Sequence, residues 1–163
     1  MSSAILGLGS NLGNRLEHLQ IAVDSLTKKV TLTKVSHVYQ SESFYNTAEP
    51  PFLNVCVEIQ TDKNPFQLLQ FLQMIENQGG RPFPRPKDRA PRTIDIDILL
   101  FGDLIYHTDN LIIPHRELWE RPFFLVPLVE IQPDAVCPLR KLKFKDRLND
   151  FSPLGVYLVS TLF

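Results

Sequence analysis

Two carboxylates, Asp95 and Asp97, stand two residues apart in the otherwise apolar run Thr93-Ile94-Asp95-Ile96-Asp97-Ile98-Leu99. In an extended chain the side chains at i and i+2 leave the same face. Both acids therefore share one face of a strand, and Ile94, Ile96 and Ile98 take the other. Like charges this close repel unless a cation or an arginine compensates them. Mg²⁺ is such a cation, because it takes one or two carboxylates and fills its remaining positions with water and substrate phosphates. Acid pairs at this spacing also occur on half-exposed strands with no chemical role, so the pair takes its meaning from what surrounds it.

What precedes it is basic. Residues 81–92 hold four prolines and five basic residues, Arg81, Arg85, Lys87, Arg89 and Arg92, against the single acid Asp88. With no hydrophobic period, the stretch is expected to be an extended, exposed loop that delivers guanidinium groups to the same end of the sheet as the acids. Arginine forks fit phosphate oxygens bidentately. Acids for a metal beside bases for phosphate suit the transfer of a phosphate-containing group, whose catalysis is mostly positioning and charge neutralisation. A solvated charged linker is the plainer alternative for this loop. His115, followed by Arg116 and Arg121, adds a polar cluster. Phe44, Phe52 and Phe123 are either core aromatics or plates for a flat heterocycle. Gly7-Leu8-Gly9-Ser10-Asn11-Leu12-Gly13 has leucine where a dinucleotide fingerprint needs its third glycine, and no Walker A loop occurs. A nucleotide would have to be held some other way.

The elements that must position these residues follow from periodicity. Ala4 to Gly9 reads as a short buried strand. Asn14, with Glu17 three residues on, caps a helix whose stripe is Leu16, Leu19, Val23 and Leu26. Val30 to Tyr39 is β-branched, and Phe52 to Thr61 is a two-faced strand, with Leu53, Val55, Val57 and Ile59 opposite Phe52, Asn54, Cys56 and Glu58. Asn64-Pro65 opens a second helix with Phe66, Leu69, Leu72 and Ile75 inward, closed by Gly79-Gly80. Gln73 and Glu76 fall on its other side. Thr93 to Phe101 is the strand of the acids. A short strand at Leu104–His107 follows, then a helix from Pro122 that Pro127 is expected to kink or interrupt. The order strand, helix, strand, strand, helix, strand predicts an α+β fold, a ferredoxin-like β-α-β-β-α-β sandwich with an extra C-terminal helix and strands.

Bulk composition narrows the partners. The 163 residues, 44% hydrophobic and 21% charged, fit one domain spanning 1–163 of ordinary globular type. A net charge of −1 supplies no global field toward nucleic acid or acidic lipid, so any anion site is local. No apolar run approaches the roughly 20 residues of a membrane span. Cys56 and Cys137 form no Cys-x-x-Cys pair and read as reduced thiols. The expectation is a cytoplasmic monomer with small-molecule substrates.

Several of these segments together resemble one family, the 6-hydroxymethyl-7,8-dihydropterin pyrophosphokinases of folate biosynthesis. The resemblance covers about Ala4 to Pro138. It rests on Gly9-Ser10-Asn11-Leu12-Gly13, Phe52-Leu53-Asn54, Pro91 through Leu99, Pro114-His115, and Arg121 through Pro127-Leu128 to Glu130-Ile131. It implies transfer of pyrophosphate from ATP to a pterin alcohol with release of AMP, and two Mg²⁺ ions held by Asp95 and Asp97. It further implies ATP contacts from Gln73, Glu76, Arg81, Arg92, Ile98, His115 and Arg121. Arg81 and Arg92 join the two acids as catalytic groups. The pterin would stack between Phe52 and Phe123, bond to Asn54, lie near Asp95, and be completed by Ser41, Glu42 and Phe44. The loop 81–92 would close over the nucleotide. Where the family often has Trp-Gly-Pro-Arg-Thr, this chain has Arg89-Ala90-Pro91-Arg92-Thr93, and phenylalanine stands at Phe52 where tyrosine is common. A nucleotide-holding module without catalysis would also account for the fold, though not for acids facing a basic loop. RNA binding on the sheet face is disfavoured by the net charge and by the acids themselves.

Overall fold

The computed structural model of the chain describes residues 1–41, 50–80 and 93–162. In chain order the elements are β1 (Ser2–Ser10), α1 (Arg15–Leu26), β2 (Thr31–Val35), β3 (Val38–Ser41), β4 (Phe52–Thr61), α2 (Pro65–Gln78) and β5 (Asp95–Phe101). They continue with β6 (Tyr106–His107), β7 (Ile112–Ile113), a 3-10 turn (Leu118–Glu120), α3 (Pro122–Ile131), α4 (Phe144–Leu148) and β8 (Val156–Ser160). The main sheet runs β5-β1-β4-β3-β8, with β2 also pairing β4, and every pairing is antiparallel. With the small antiparallel pair β6-β7, this is a mixed architecture of, among the described residues, two antiparallel sheets and four α-helices.

Alternation along each central strand gives the sheet two apolar faces. Leu6, Leu8, Val55, Val57, Ile96 and Ile98 pack with Leu19, Val23, Leu26, Leu68, Leu72 and Ile75 of α1 and α2. On the opposite face Ile5, Cys56 and Leu99 pack with Leu118, Phe124, Leu125, Leu128 and Phe144. Each fully buried leucine or valine contributes about 1.5–3 kcal/mol, so both layers are firmly docked. The caps form as the sequence predicts. Asn14 accepts from the Glu17 N–H at 3.2 Å, and Asn64 and Gln67 make a reciprocal capping box. Gly80, at φ +98°, turns the chain out of α2.

The structure departs from sequence expectation in three places. Val30 to Tyr39 is not one strand: it breaks at Ser36-His37. There the buried Ser36 hydroxyl accepts the Cys56 N–H at 2.9 Å, taking over a ladder bond while the chain shifts register. Leu16 and Phe66 are exposed rather than inward, because Ala22 in α1 and Leu68 and Phe71 in α2 occupy the buried stripe instead. The helix α3 runs through Pro127, which is itself buried.

The C-terminal end of α3 is pinned to the sheet. Glu130 accepts from the His37 N–H at 3.0 Å, His37 Nδ1 at 2.9 Å and the Tyr39 hydroxyl at 2.5 Å. Lys34 Nζ donates to the Ile131 carbonyl at 3.1 Å, and Gln132 donates to Glu58. Burial pushes the Glu130 carboxyl up, but the bonds from Tyr39 and His37 outweigh it and hold the group below its ordinary value of 4.5. A depressed folded-state value adds stability that is present above the unfolded value and is lost as pH falls through the folded one. Glu130→Gln is therefore expected to flatten the acid limb of stability below about pH 4.5, read from urea unfolding at a series of pH values. An unaltered acid limb would show that these bonds do not link folding to pH.

Candidate active site at the β5–β1–β4 edge

Register places the acids. Asp95 lies opposite Gly9 and Asp97 opposite Gly7, and those two glycines face Asn54 and Cys56 on their other side. The α3 side of the sheet therefore carries carboxylates on β5, bare backbone on β1, and Phe52 and Asn54 on β4. The glycines are needed for close approach. A Cβ on Gly7 would come within 3.2 Å of Leu99 Cδ1 and of the Phe124 ring, and one on Gly9 within 3.3 Å of Phe52 Cδ1 and 3.4 Å of Asn54 Oδ1. Glycine in a strand interior marks such an approach.

Asn54 is buried, and its Nδ2 donates to Ser41 Oγ at 2.7 Å, which fixes the amide at the end of β3. Phe123 sits at the start of α3 with its ring 4.7 Å from that of Phe124, which in turn meets the His115 ring edge-on at 5.0 Å. His115 is tied to the acid strand by its backbone N–H, which donates to the Leu99 carbonyl at 3.0 Å. Its Nδ1 accepts the Glu117 N–H at 3.1 Å, so the neutral ring carries its proton on Nε2. That atom lies 3.7 Å from Asp97 Oδ1. Burial alone would lower the His115 pKa, but the hydrogen bond and charge of Asp97, with Glu117 and Asp95 behind it, raise it above 6.5. Arg121 precedes α3, with Nε 3.5 Å from Glu117 Oε2.

The sequence-predicted nucleotide residues divide about the edge of β5 away from β1. Glu76 is only 2% exposed and accepts the Ile96 N–H at 2.8 Å, while Gln73 is half-buried on the same helix. Ile98 is buried against α1 and α2. A cavity of about 280 Å³ runs along this edge, lined by Leu69, Ile96, Asp97, Ile98, Asp109, Asn110, Leu111, Ile112, His115 and Arg116. It brings Asp97, Ile98 and His115 together. Asn110 and Ile112 fall where some members of the resembled family carry polar nucleotide contacts, but the sequence assigns neither of them a role, and Leu111 gives no signal, since a short turn between brief strands carries no periodicity. Glu42, Phe44, Arg81, Arg85, Lys87, Arg89 and Arg92 lie outside the described residues.

The donor set fits Mg²⁺. Among the described residues no group of three or more histidines, cysteines or acids is placed to hold a metal. What stands here is the pair of carboxylates Asp95 and Asp97, and two is a number of protein ligands Mg²⁺ commonly accepts when phosphates complete its shell. Neither cysteine competes. Both are buried, and burial holds the Cys56 thiol well above its ordinary pKa.

Asp95 and Asp97 thus stand beside a histidine whose pKa they raise, and Asp97 lines the edge cavity. Residues 5–133 match the model of the 7,8-dihydro-6-hydroxymethylpterin-pyrophosphokinase (HPPK) family, and the chain belongs to that family. It is 45% identical over 130 residues to the Bacillus subtilis 2-amino-4-hydroxy-6-hydroxymethyldihydropteridine pyrophosphokinase, covering 78% of this chain and 77% of that protein. The Aquifex aeolicus protein of the same name is 35% identical over 156 residues, covering 94% and 92%. Among solved structures, wild-type Plasmodium falciparum HPPK-DHPS with SDX-DHP superposes with a TM-score of 0.72 at 16% identity. The superposition covers 92% of this chain and 43% of that one, and it bears on the fold alone.

Proposed function

We infer that this protein transfers pyrophosphate from ATP to the hydroxymethyl group of 6-hydroxymethyl-7,8-dihydropterin in folate biosynthesis, releasing AMP. The observation that carries the reading is the register itself: Asp95 and Asp97 share one strip of sheet with Asn54 and Phe52, separated only by the side-chain-free Gly7 and Gly9. A nucleotide entering along the β5 edge and a pterin lying over β4 would meet above those glycines.

In this reading Asp95 and Asp97 hold two Mg²⁺ ions, which when bound neutralise charge on the transferred group. Gln73, Glu76, Ile98, His115 and Arg121, with Arg81 and Arg92, serve ATP. Phe52 and Phe123 stack the pterin, Asn54 bonds its edge, and Ser41, Glu42, Phe44 and Asp95 complete its pocket. Ser41 supports this by fixing Asn54, and the Phe124 ring supports it by backing both Phe123 and His115. Glu76 and Ile98 are buried, so their part is to shape the edge rather than to reach the phosphates. Holding both substrates in line removes most of the entropic barrier to attack by the hydroxymethyl oxygen on the β-phosphorus.

The same reading takes β1 to β5 with α1 and α2 as a ferredoxin-like split unit. The order β5-β1-β4-β3 with both helices on one face supports it. It also takes residues 1–163 as one domain acting as a cytoplasmic monomer, supported by two core layers that share a single sheet. Among the described residues no helix is long and apolar enough to cross a membrane.

The test is to identify the nucleotide product after incubation with ATP, Mg²⁺ and the pterin alcohol. AMP in step with pterin consumption is expected. ADP would mean single-phosphate transfer, and no turnover would favour a module that only binds nucleotide.

A further inference from the structure

The seven residues from His115 to Arg121 run beside the site, with Arg116 lining the edge cavity and the Glu117 N–H donating to His115 Nδ1. Within this stretch the chain makes the short turn Leu118–Glu120, with Leu118 N bonded to the His115 carbonyl at 3.1 Å, Glu120 N to the Glu117 carbonyl at 3.0 Å and Arg121 N to the Leu118 carbonyl at 3.5 Å. A further hold on the turn comes from α4. Arg147 Nε donates to the Trp119 carbonyl at 2.8 Å, and one terminal nitrogen reaches Glu120 Oε2 at 2.9 Å. The other terminal nitrogen bonds Asp150 Oδ2 at 3.1 Å. The guanidinium also lies 5.4 Å from the Trp119 ring centroid and 4.7 Å from that of Phe151, and Arg140 covers Trp119 at 4.9 Å.

Arg147 is only 18% exposed, and a charge that far from water is costly unless it is paired. Two of its three polar partners belong to Trp119 and Glu120, the residues immediately before Arg121. The residue lies outside the 5–133 stretch that the family model matches, so its role does not follow from family membership. A planar fork presents its donors to a carbonyl and to carboxylates in one fixed geometry, which the flexible ammonium of a lysine does not.

We propose that Arg147 is a positioning residue for the nucleotide side of the site, holding the Trp119–Glu120 turn so that His115 and Arg121 are aligned at its two ends. The proposal rests on the assignment of His115 and Arg121 to ATP. Removing the side chain frees the turn, and each net hydrogen bond lost is worth about 1 kcal/mol, or roughly fivefold. The pterin side has anchors of its own: Phe124 is seated against Gly7, and Asn54 is fixed by Ser41.

The experiment compares wild type, Arg147→Ala, Arg147→Lys, Asp150→Ala and Arg121→Ala by steady-state kinetics at a temperature where near-ultraviolet circular dichroism shows each one folded. Arg147→Ala is expected to raise the KM for ATP about fivefold to tenfold, with the pterin KM within about twofold of wild type. Asp150→Ala leaves the Trp119 and Glu120 bonds intact and is expected to leave both values unchanged. If Arg147→Ala does not fold, Arg147→Lys carries the test, with a rise of about threefold or more in ATP KM expected. An ATP KM unchanged in the folded arginine variant, or one that rises in step with pterin KM, overturns the proposal. Arg121→Ala separates the two levels. If it leaves ATP KM unchanged, the nucleotide assignment fails; if it raises ATP KM while the Arg147 variants do not, only the positioning role fails.

Discussion

Alanine at Asp95 or at Asp97 is expected to lower turnover by about 10²-fold or more, on the scale seen when a charge-stabilising group is lost from an active site, while the chain stays folded. Both side chains lie above the sheet opposite glycine, and the fold at this strand is carried by Ile94, Ile96 and Ile98 on the other face. Removing one of two neighbouring carboxylates also relieves repulsion in the metal-free protein. The loss should therefore appear in kcat rather than in unfolding. Raising Mg²⁺ should restore little, because added ion does not replace the missing carboxylate that would position it. Turnover assays with parallel urea unfolding check this result. Near-normal rates in both variants would remove the pair from the metal role.

The second large effect is on stability and concerns Glu76. Its carboxylate accepts the N–H of Ile96, the residue between the two aspartates, on the edge of β5 away from β1. Ile96 is fully buried, so Glu76→Ala leaves a donor without that acceptor, at a cost of about 1–3 kcal/mol. It also opens a void under the strand. A total loss of about 2–4 kcal/mol is expected in urea unfolding at neutral pH. Glu76→Gln keeps the size and one acceptor oxygen and should lose less than about 1 kcal/mol. If the glutamine variant is as stable as wild type but shows a raised ATP KM, Glu76 touches nucleotide directly. If the alanine variant is as stable as wild type, the Ile96 bond does not hold the strand.

Much of this architecture was legible in the sequence because burial imposes period. The two faces of β4 and of β5 could be read residue by residue, since one face packs on α1 and α2 and the other on α3. The two caps were legible because Asn14 and Asn64 begin their helices by a local bond that needs nothing from the rest of the chain. What was not legible depends on distant partners. The break between β2 and β3 arises from a hydroxyl, that of Ser36, bonding a strand twenty residues away. Leu16 and Phe66 fit the helical stripe as well as the residues that displaced them.

The candidate site divides in the same way. The acid pair announced itself by spacing, and the glycines of β1 announced a turn. Only strand register shows that Gly7 and Gly9 lie beside the acids rather than merely before a helix. Asn110 and Ile112 carry no periodic signal that assigns them a role, yet with Leu111 they line the cavity next to Asp97. The segment from Cys137 onward was unreadable in advance because α4 is short and its purpose is tertiary: Phe144 enters the second core layer and Arg147 grips a turn on the far side of it.

The most direct test of the account is a crystal structure of the protein with Mg²⁺, a non-hydrolysable ATP analogue and the pterin alcohol. The account predicts metal at roughly 2.0–2.1 Å from carboxylate oxygens of both Asp95 and Asp97, nucleotide along the β5 edge near His115, and pterin over Asn54 between Phe52 and Phe123. Metal away from the two aspartates, or nucleotide in the open cleft at the opposite end of the sheet around Lys28, Lys63 and Phe71, would contradict it.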